Sequence, residues 1–249
     1  MDIYAFPPIA AILDAAYGVL TGLADLLAPL TGSAAAAAAI ILVTLVIRAL
    51  LIPVGVSQAK AEQTRARLAP KLRALQKRHK KNPERLQRET MQLYKDENTS
   101  PFAGCLPVLI QAPVIGILYT LFLRTDIAGH ENDLLTHDLF GASLGTSLVS
   151  MLTTGPFSLP TLAVYVGLIV IMIVVAEITR RVFRPVAVDD SPLSSPGMLR
   201  MMNALHYLTA VFAVFVPLAA GLYLTVTVAW TLAQRVILRR RYPLPVTAG

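Results

Sequence analysis

A single cysteine, Cys105, excludes an intrachain disulfide framework and any multi-cysteine metal site from this chain of 249 residues. Small, and at the edge of an apolar run, Cys105 reads as a packing residue. Charge is scarce as well: Asp, Glu, Lys and Arg supply 15% of the residues against 55% hydrophobic, and the mean hydropathy is +0.61. A soluble domain of this length is not so apolar, so the composition indicates a membrane protein. Residues 1–47 contain neither Lys nor Arg. A cleavable secretory signal needs a positive leading segment and an organellar transit peptide needs arginines, so neither is expected. The sequence also lacks a glycine-rich nucleotide loop, a nucleophile motif and a cluster of metal ligands, which argues against an enzyme or an ATP-driven pump and leaves no cofactor to expect.

What the sequence does have is apolar runs separated by unevenly charged segments. Crossing a hydrocarbon core of about 30 Å takes about 20 helical residues, and the runs 34–56, 104–123 and 160–179 have that length. A longer run, 204–237, contains Pro217 and Gly221 and reads as two spans, 204–217 and 218–238, joined by a tight turn. Basic residues mark cytoplasmic loops. They crowd segment 57–100, bracket 180–203 with Arg180, Arg181, Arg184 and Arg200, and close the chain in the tail 239–249. Segment 124–159 carries Asp126, Glu131, Asp133 and Asp138 and reads as an outer loop, in which His130 and His137 are expected to be solvated. The expected fold is therefore an all-α polytopic membrane protein of five spans, N-terminus outside and C-terminus inside. Residues 1–33 carry Asp14, Gly18, Thr21 and Asp25 at helical spacing, which predicts an amphipathic helix on the outer interface rather than a sixth span.

Segment 57–100 has internal order of its own. Leu68, Leu72, Leu75 and His79 fall on one helical face, and Pro83 in KKNPER is a favourable helix start, followed by Leu86, Leu93 and Tyr94 on one side. This predicts a basic helical hairpin with Pro70 kinking its first arm; a solvated tether that only fixes topology is the alternative.

Three polar side chains interrupt the apolar runs. Arg48, in LVTLVIRALLIP, lies roughly 12 Å along the helix from the expected inner end at 56. It either snorkels to the interface or faces a wet cavity between helices, because leaving it in lipid costs about 2.5–3.5 kcal/mol on insertion scales. Gln111 sits between Pro107 and Pro113, suited to an interhelical hydrogen bond or a cavity. Glu177, near the inner end of its span, can pair with Arg180 or Arg181 one turn on. These features leave two functional classes: a protein that handles other polypeptides at the bilayer, and a small-solute transporter or channel with an intramembrane arginine. The second predicts internal repeats, and none is visible.

The stretch NTSPFAGCLPVLIQAPVIGILYTLF, residues 98–122, resembles the second-span signature of the YidC/Oxa/Alb membrane-protein insertases. TLVIRALLIPVGVSQAKAEQTRARLAPKLRALQKRHK resembles that family's first core span and cytoplasmic hairpin, HDLFGASLG its outer loop, and PLAAGLYLTVTVAWTLAQ its turn and final span. The resemblance covers residues 34–238 in order, and suggests the bacterial short form without a large outer domain. It implies a hydrophilic groove open to cytoplasm and lipid, with Arg48, Gln111 and Glu177 as client-binding residues. The hairpin would make first contact through Arg65, Arg67, Lys71, Arg73, Lys77 and Arg78. The implied partners are nascent membrane-protein clients, the lipid bilayer, the ribosome and the Sec translocon, not DNA, and the implied location is the bacterial plasma membrane. Many relatives have Tyr-Trp where this chain has Tyr223 and Leu224, so a groove-facing tryptophan is not carried over.

Overall fold

The computed structural model describes residues 6–80, 82–97, 99, 106–127, 129–155, 158–183, 201 and 204–243, with backbone alone for 106–114. Cys105 and the other residues of 100–105, at the start of the second-span motif, lie outside these residues. The described chain is mostly helical: α1 (Pro7–Thr31), α2 (Ala35–Leu50), α3 (Ile52–Arg78), α4 (Pro83–Asp96), α5 (Leu106–Leu123), α6 (Leu148–Thr153), α7 (Leu159–Val182), α8 (Leu208–Ala213) and α9 (Leu218–Arg241). Among the described residues, the stretches Pro7–Leu50, Leu159–Val182 and Leu218–Arg241 are long and apolar enough to cross a membrane. The chain divides into two compact units, residues 1–49 with 116–232 and residues 50–115 with 233–249.

In the first unit, α1 ends at Gly32, whose φ of 57° only glycine adopts freely, and a single tight turn over Gly32–Ala34 leads into α2. α2 opens on an alanine run with strong helix propensity. Ala35, Ala36, Ala37 and Ala39 are buried, small side chains that let neighbouring backbones approach closely, and Ile40 is buried beside them. Met172 of α7 packs with Ala210 and Ala213 of α8, flanked by Leu224 and Val228 of α9.

The acidic segment 124–159 is not helical throughout. It forms two antiparallel hairpins, β1 (Asp126–Ile127) with β2 (His130–Glu131) and β3 (Asp138–Leu139) with β4 (Ala142–Ser143). Two-residue turns need positive φ, and the second hairpin has it at Phe140 (52°) and Gly141 (81°). This segment is stitched to the helices by its backbone: Leu218 and Ala219 donate their N–H groups to the Thr146 and Leu144 carbonyls at 2.8 and 2.9 Å. Two of the donors that a helix start leaves unpaired are thereby satisfied for α9. The Tyr165 hydroxyl of α7 donates to the Thr146 carbonyl at 2.8 Å, and the Thr161 hydroxyl donates to the Gly141 carbonyl at 3.1 Å.

In the second unit α3 and α4 form a hairpin. α4 starts where local chemistry directs it: the Asn82 side chain accepts from the Arg85 N–H at 3.0 Å and Pro83 occupies the first turn. Leu68 is 1% exposed, with Leu72, Leu75, Leu86, Leu93 and Tyr94 half-buried, so the apolar faces of the two arms are their sheltered faces. Pro70 lies inside α3 without ending it. The end of α9 belongs to this unit: Arg235 pairs with Glu62 at 3.2 Å, and Gln63 donates to the Pro243 carbonyl at 2.9 Å.

Candidate functional site

Arg48 sits in the last turn of α2, where its charge complements the partial negative end of the helix. Its direction follows from the helical wheel. At 100° per residue Ala37 and Thr44 lie within about 40° of Arg48, and they are 1% exposed each. Val46 and Leu50, on the opposite side, are 50% and 74% exposed. Arg48 therefore continues the protein-facing stripe of α2 and not its exposed stripe. The Thr44 hydroxyl is spent on the Ile40 carbonyl at 2.6 Å. Arg48 itself is half-buried and has no hydrogen-bond or ion-pair partner among the described residues. A guanidinium carries five N–H donors, all suited to a carboxylate or carbonyl acceptor. α2 ends just beyond, at Leu50, because Pro53 has no N–H to continue the ladder and fits instead the opening turn of α3.

Glu177 is fully engaged within its own unit. It accepts from Arg180 Nε and Nη2 at 2.9 and 2.7 Å, from Arg181 Nε at 2.5 Å and from the Tyr207 hydroxyl. Arg48 is not among its partners. The carboxylate thus ties the C-terminal end of α7 to the segment preceding α8. Tyr207 carried no sequence signal of this role, since it lies thirty positions away. The side chain of Gln111 lies outside the described residues, although its backbone continues α5.

On the hairpin, two of the expected contact residues are committed internally: Arg67 bonds Glu97 at 3.0 Å and Lys71 bonds the same carboxylate. The Lys71 hydrogen bond holds the Glu97 carboxyl below its usual range; partial desolvation opposes it, and the charges of Lys71 and Arg67 assist. Lys77 also has a partner. Arg65, Arg73 and Arg78 have no ion pair among the described residues; Arg65 and Arg78 are exposed and Arg73 is half-buried. Arg78 and Lys71 border a cleft of about 420 Å³ between the arms, faced by Glu89 and Asp96 and floored by Leu75 and Leu93. His79, 8% exposed, lies 2.8 Å from Glu89, and Arg85 bonds the other oxygen at 3.1 Å. The His79 contact is close, but its Nε2 makes no well-aligned hydrogen bond. Desolvation pushes the Glu89 carboxyl up, and the Arg85 hydrogen bond followed by His79 outweighs it, leaving it below the ordinary value.

Segment 124–159 holds contacts for which its own sequence carries no local signal. His130, expected to be solvated, bonds Asp14 of α1 at 3.0 Å and lies against the Tyr17 ring, with centroids 4.9 Å apart. Tyr17 also accepts from the Asp133 N–H at 3.2 Å. The Asp14 hydrogen bond raises the His130 pKa above the ordinary imidazole value; the Glu131 carbonyl and the charges of Asp14 and Asp126 assist, and desolvation opposes. Asn132, 3% exposed, donates from Nδ2 to the Leu121 and Arg124 carbonyls at 2.7 and 2.8 Å, closing the end of α5.

Comparison with known proteins agrees with the resemblance. The family model described as 60Kd inner membrane protein matches residues 26–244. The membrane protein insertase YidC of Zymomonas mobilis is 33% identical over 211 residues, 83% of this chain and 34% of that protein. The protein of the same name from Streptomyces avermitilis is 27% identical over 221 residues, 83% of this chain and 51% of that protein. The one from Clostridium perfringens is 43% identical over 83 residues, 33% of this chain and 35% of that protein. The matches span about a third to a half of the length of these relatives. With its matched region running from α1 through the end of α9, this chain belongs to the 60Kd inner membrane protein family.

Proposed function

We propose that the chain is a membrane protein insertase of the bacterial plasma membrane, and that it works without nucleotide hydrolysis. Five spans, N-terminus outside and C-terminus inside, form its core, and Arg48 is the client-binding residue of a hydrophilic groove. The observation that carries this reading is Arg48: a half-buried guanidinium on the protein-facing stripe of an apolar helix, with no partner among the described residues. A permanent charge in that setting is costly unless water or a polar client meets it. For a client carboxylate about 4 Å away, at an effective dielectric constant near 20, the attraction is about 4 kcal/mol. That is enough to hold a hydrophilic outer segment briefly. The client's apolar helix then partitions into lipid at about 0.8 kcal/mol per buried methylene, which drives release.

The remaining residues take distinct parts. Glu177, with its oxygens bonded to Arg180, Arg181 and Tyr207, acts at the groove as the group that positions Tyr207. Arg65, Arg73 and Arg78 of the hairpin are cations suited to first contact with clients, anionic lipid or the ribosome, while Arg67 and Lys71 serve the hairpin's own geometry. The Asp14–His130 contact between α1 and the outer segment supports an α1 that lies along the outer interface. The Sec translocon is a further expected partner.

The test is site-specific photo-crosslinking from position 48 during synthesis of a short client with an acidic outer segment. Capture of the client is expected, with Arg48→Ala lowering its insertion into proteoliposomes about tenfold or more and Arg48→Lys retaining most of it, since loss of the attraction above corresponds to that factor at least. Absence of a crosslink at 48, or full insertion by Arg48→Ala, overturns the assignment. Solute flux through the same proteoliposomes without client insertion would favour a transporter.

A further inference from the structure

Phe140 stands in a conformation that its side chain does not justify from within the protein. At φ 52° it begins the two-residue turn between β3 and β4, with Gly141 at φ 81°. Turns of this hand favour Asn or Asp before Gly, because a large side chain is strained there. Strained positions persist when something else fixes them, and they cluster where function needs them. Yet Phe140 is 72% exposed, so packing within the chain does not account for the aromatic ring.

The position of the turn supplies an account. The Thr161 hydroxyl, in the first turn of α7, donates to the Gly141 carbonyl at 3.1 Å. α7 is long and apolar enough to cross a membrane, and Ser158 caps its start. On its other side, β3 lies against the Gly32–Ala34 turn, at which α2 begins. The hairpin tip is therefore fixed at the level where two membrane helices start. Two more large apolar side chains flank those starts with little cover: Leu30 is 83% exposed and Leu159 is 73% exposed. At that level the surroundings of an uncovered aromatic ring are the headgroup boundary, where aromatic side chains are enriched in membrane proteins.

We propose that Phe140, together with Leu30 and Leu159, forms a lipid anchor that inserts the tip of the β3–β4 hairpin into the interfacial layer of the bilayer. The occupant is phospholipid, at the glycerol and upper acyl level. The anchor holds the segment that caps α9 and braces α7, so it fixes those helix ends relative to the membrane surface. It rests on the membrane-spanning character of α2 and α7 and on no step of client insertion.

The test uses the full chain in liposomes, without any client. In a Trp230→Phe background, Phe140→Trp places the sole tryptophan at the tip. Its emission should be blue-shifted, quenched about twofold or more by phospholipid brominated high on the acyl chain, and less by phospholipid brominated near the chain end, as an interfacial ring requires. Water-like emission with full quenching by iodide overturns the proposal. Blue-shifted emission that neither brominated lipid quenches also overturns it and points to a protein neighbour instead. A second variant guards against a misfolded first one: Leu159→Trp in the same background should show the same shallow quenching. Because no client is present, loss of insertion activity at Arg48 leaves this result untouched, and a failed anchor leaves the Arg48 crosslink untouched.

Discussion

Replacing Asn132 by alanine should loosen the corner of the first unit where segment 124–159 meets the end of α5. Asn132 is 3% exposed, and its side-chain amide closes two carbonyls at the end of α5, those of Leu121 at 2.7 Å and Arg124 at 2.8 Å. Its backbone is equally committed, donating to the Thr125 carbonyl at 2.9 Å and accepting from Leu135 at 3.2 Å. Truncation to alanine keeps those backbone bonds and removes both amide donors. A buried acceptor left without its donor costs about 1–3 kcal/mol. The Leu121 bond is buried and loses most of this, while the Arg124 bond is partly buried and recovers some from water. The sum is about 2–4 kcal/mol, which for a chain of this size lowers Tm by about 5–12 °C. Thermal unfolding in a single detergent, followed by circular dichroism, measures it. Asn132→Asp is the discriminating control. It keeps the volume but puts an acceptor where the two carbonyls need a donor, so its loss should equal or exceed that of alanine. If the aspartate variant is markedly the milder of the two, side-chain volume and not donation holds this corner, and the reasoning fails. A melting point within 1 °C of the parent for both would have the same meaning.

Three further outcomes follow from the geometry. The His130 pKa is raised in the folded state, so the contribution of its bond to Asp14 is complete below about 6.5 and fades as pH climbs through the raised folded value. Amide exchange in β1 and β2 should accelerate over that interval, and a His130→Gln variant with unchanged pH dependence would refute the link. Glu97 has the opposite sign: its lowered pKa gives a contribution present above about 4.5 and lost as pH falls through the folded value. Exchange at the open end of the α3–α4 hairpin should rise under acid, and Glu97→Gln should show the raised rate already at neutral pH. Gly145→Ala should destabilise by about 1–3 kcal/mol, because the added methyl would stand 2.9 Å from the Leu135 backbone oxygen, which cannot rotate away. An unaltered melting curve for that variant would mean the turn shifts freely.

Much about this protein is written in neighbouring residues. Length and apolarity mark α7 and α9 as able to cross a membrane, because a helix in hydrocarbon satisfies its own backbone and needs only lipophilic side chains. The start of α4 at Asn82 and Pro83 is likewise local chemistry. Family membership was legible from motifs such as Gly-Cys-Leu-Pro and Gln-Ala-Pro in the 98–122 stretch. An arginine within an apolar run could also be seen, but not what surrounded it: residue pattern alone left both snorkelling and a polar cavity open for Arg48. Only tertiary structure decided that Arg48 continues the stripe of Ala37 and Thr44, and that Glu177 is held by Tyr207 as well as by its neighbours. The same is true of His130 against Asp14, Asn132 beneath α5, and the β-hairpins of segment 124–159, which has no strong period of its own. Each of these depends on which distant groups arrive within hydrogen-bonding range, and a chain read one residue after another carries no measure of that distance.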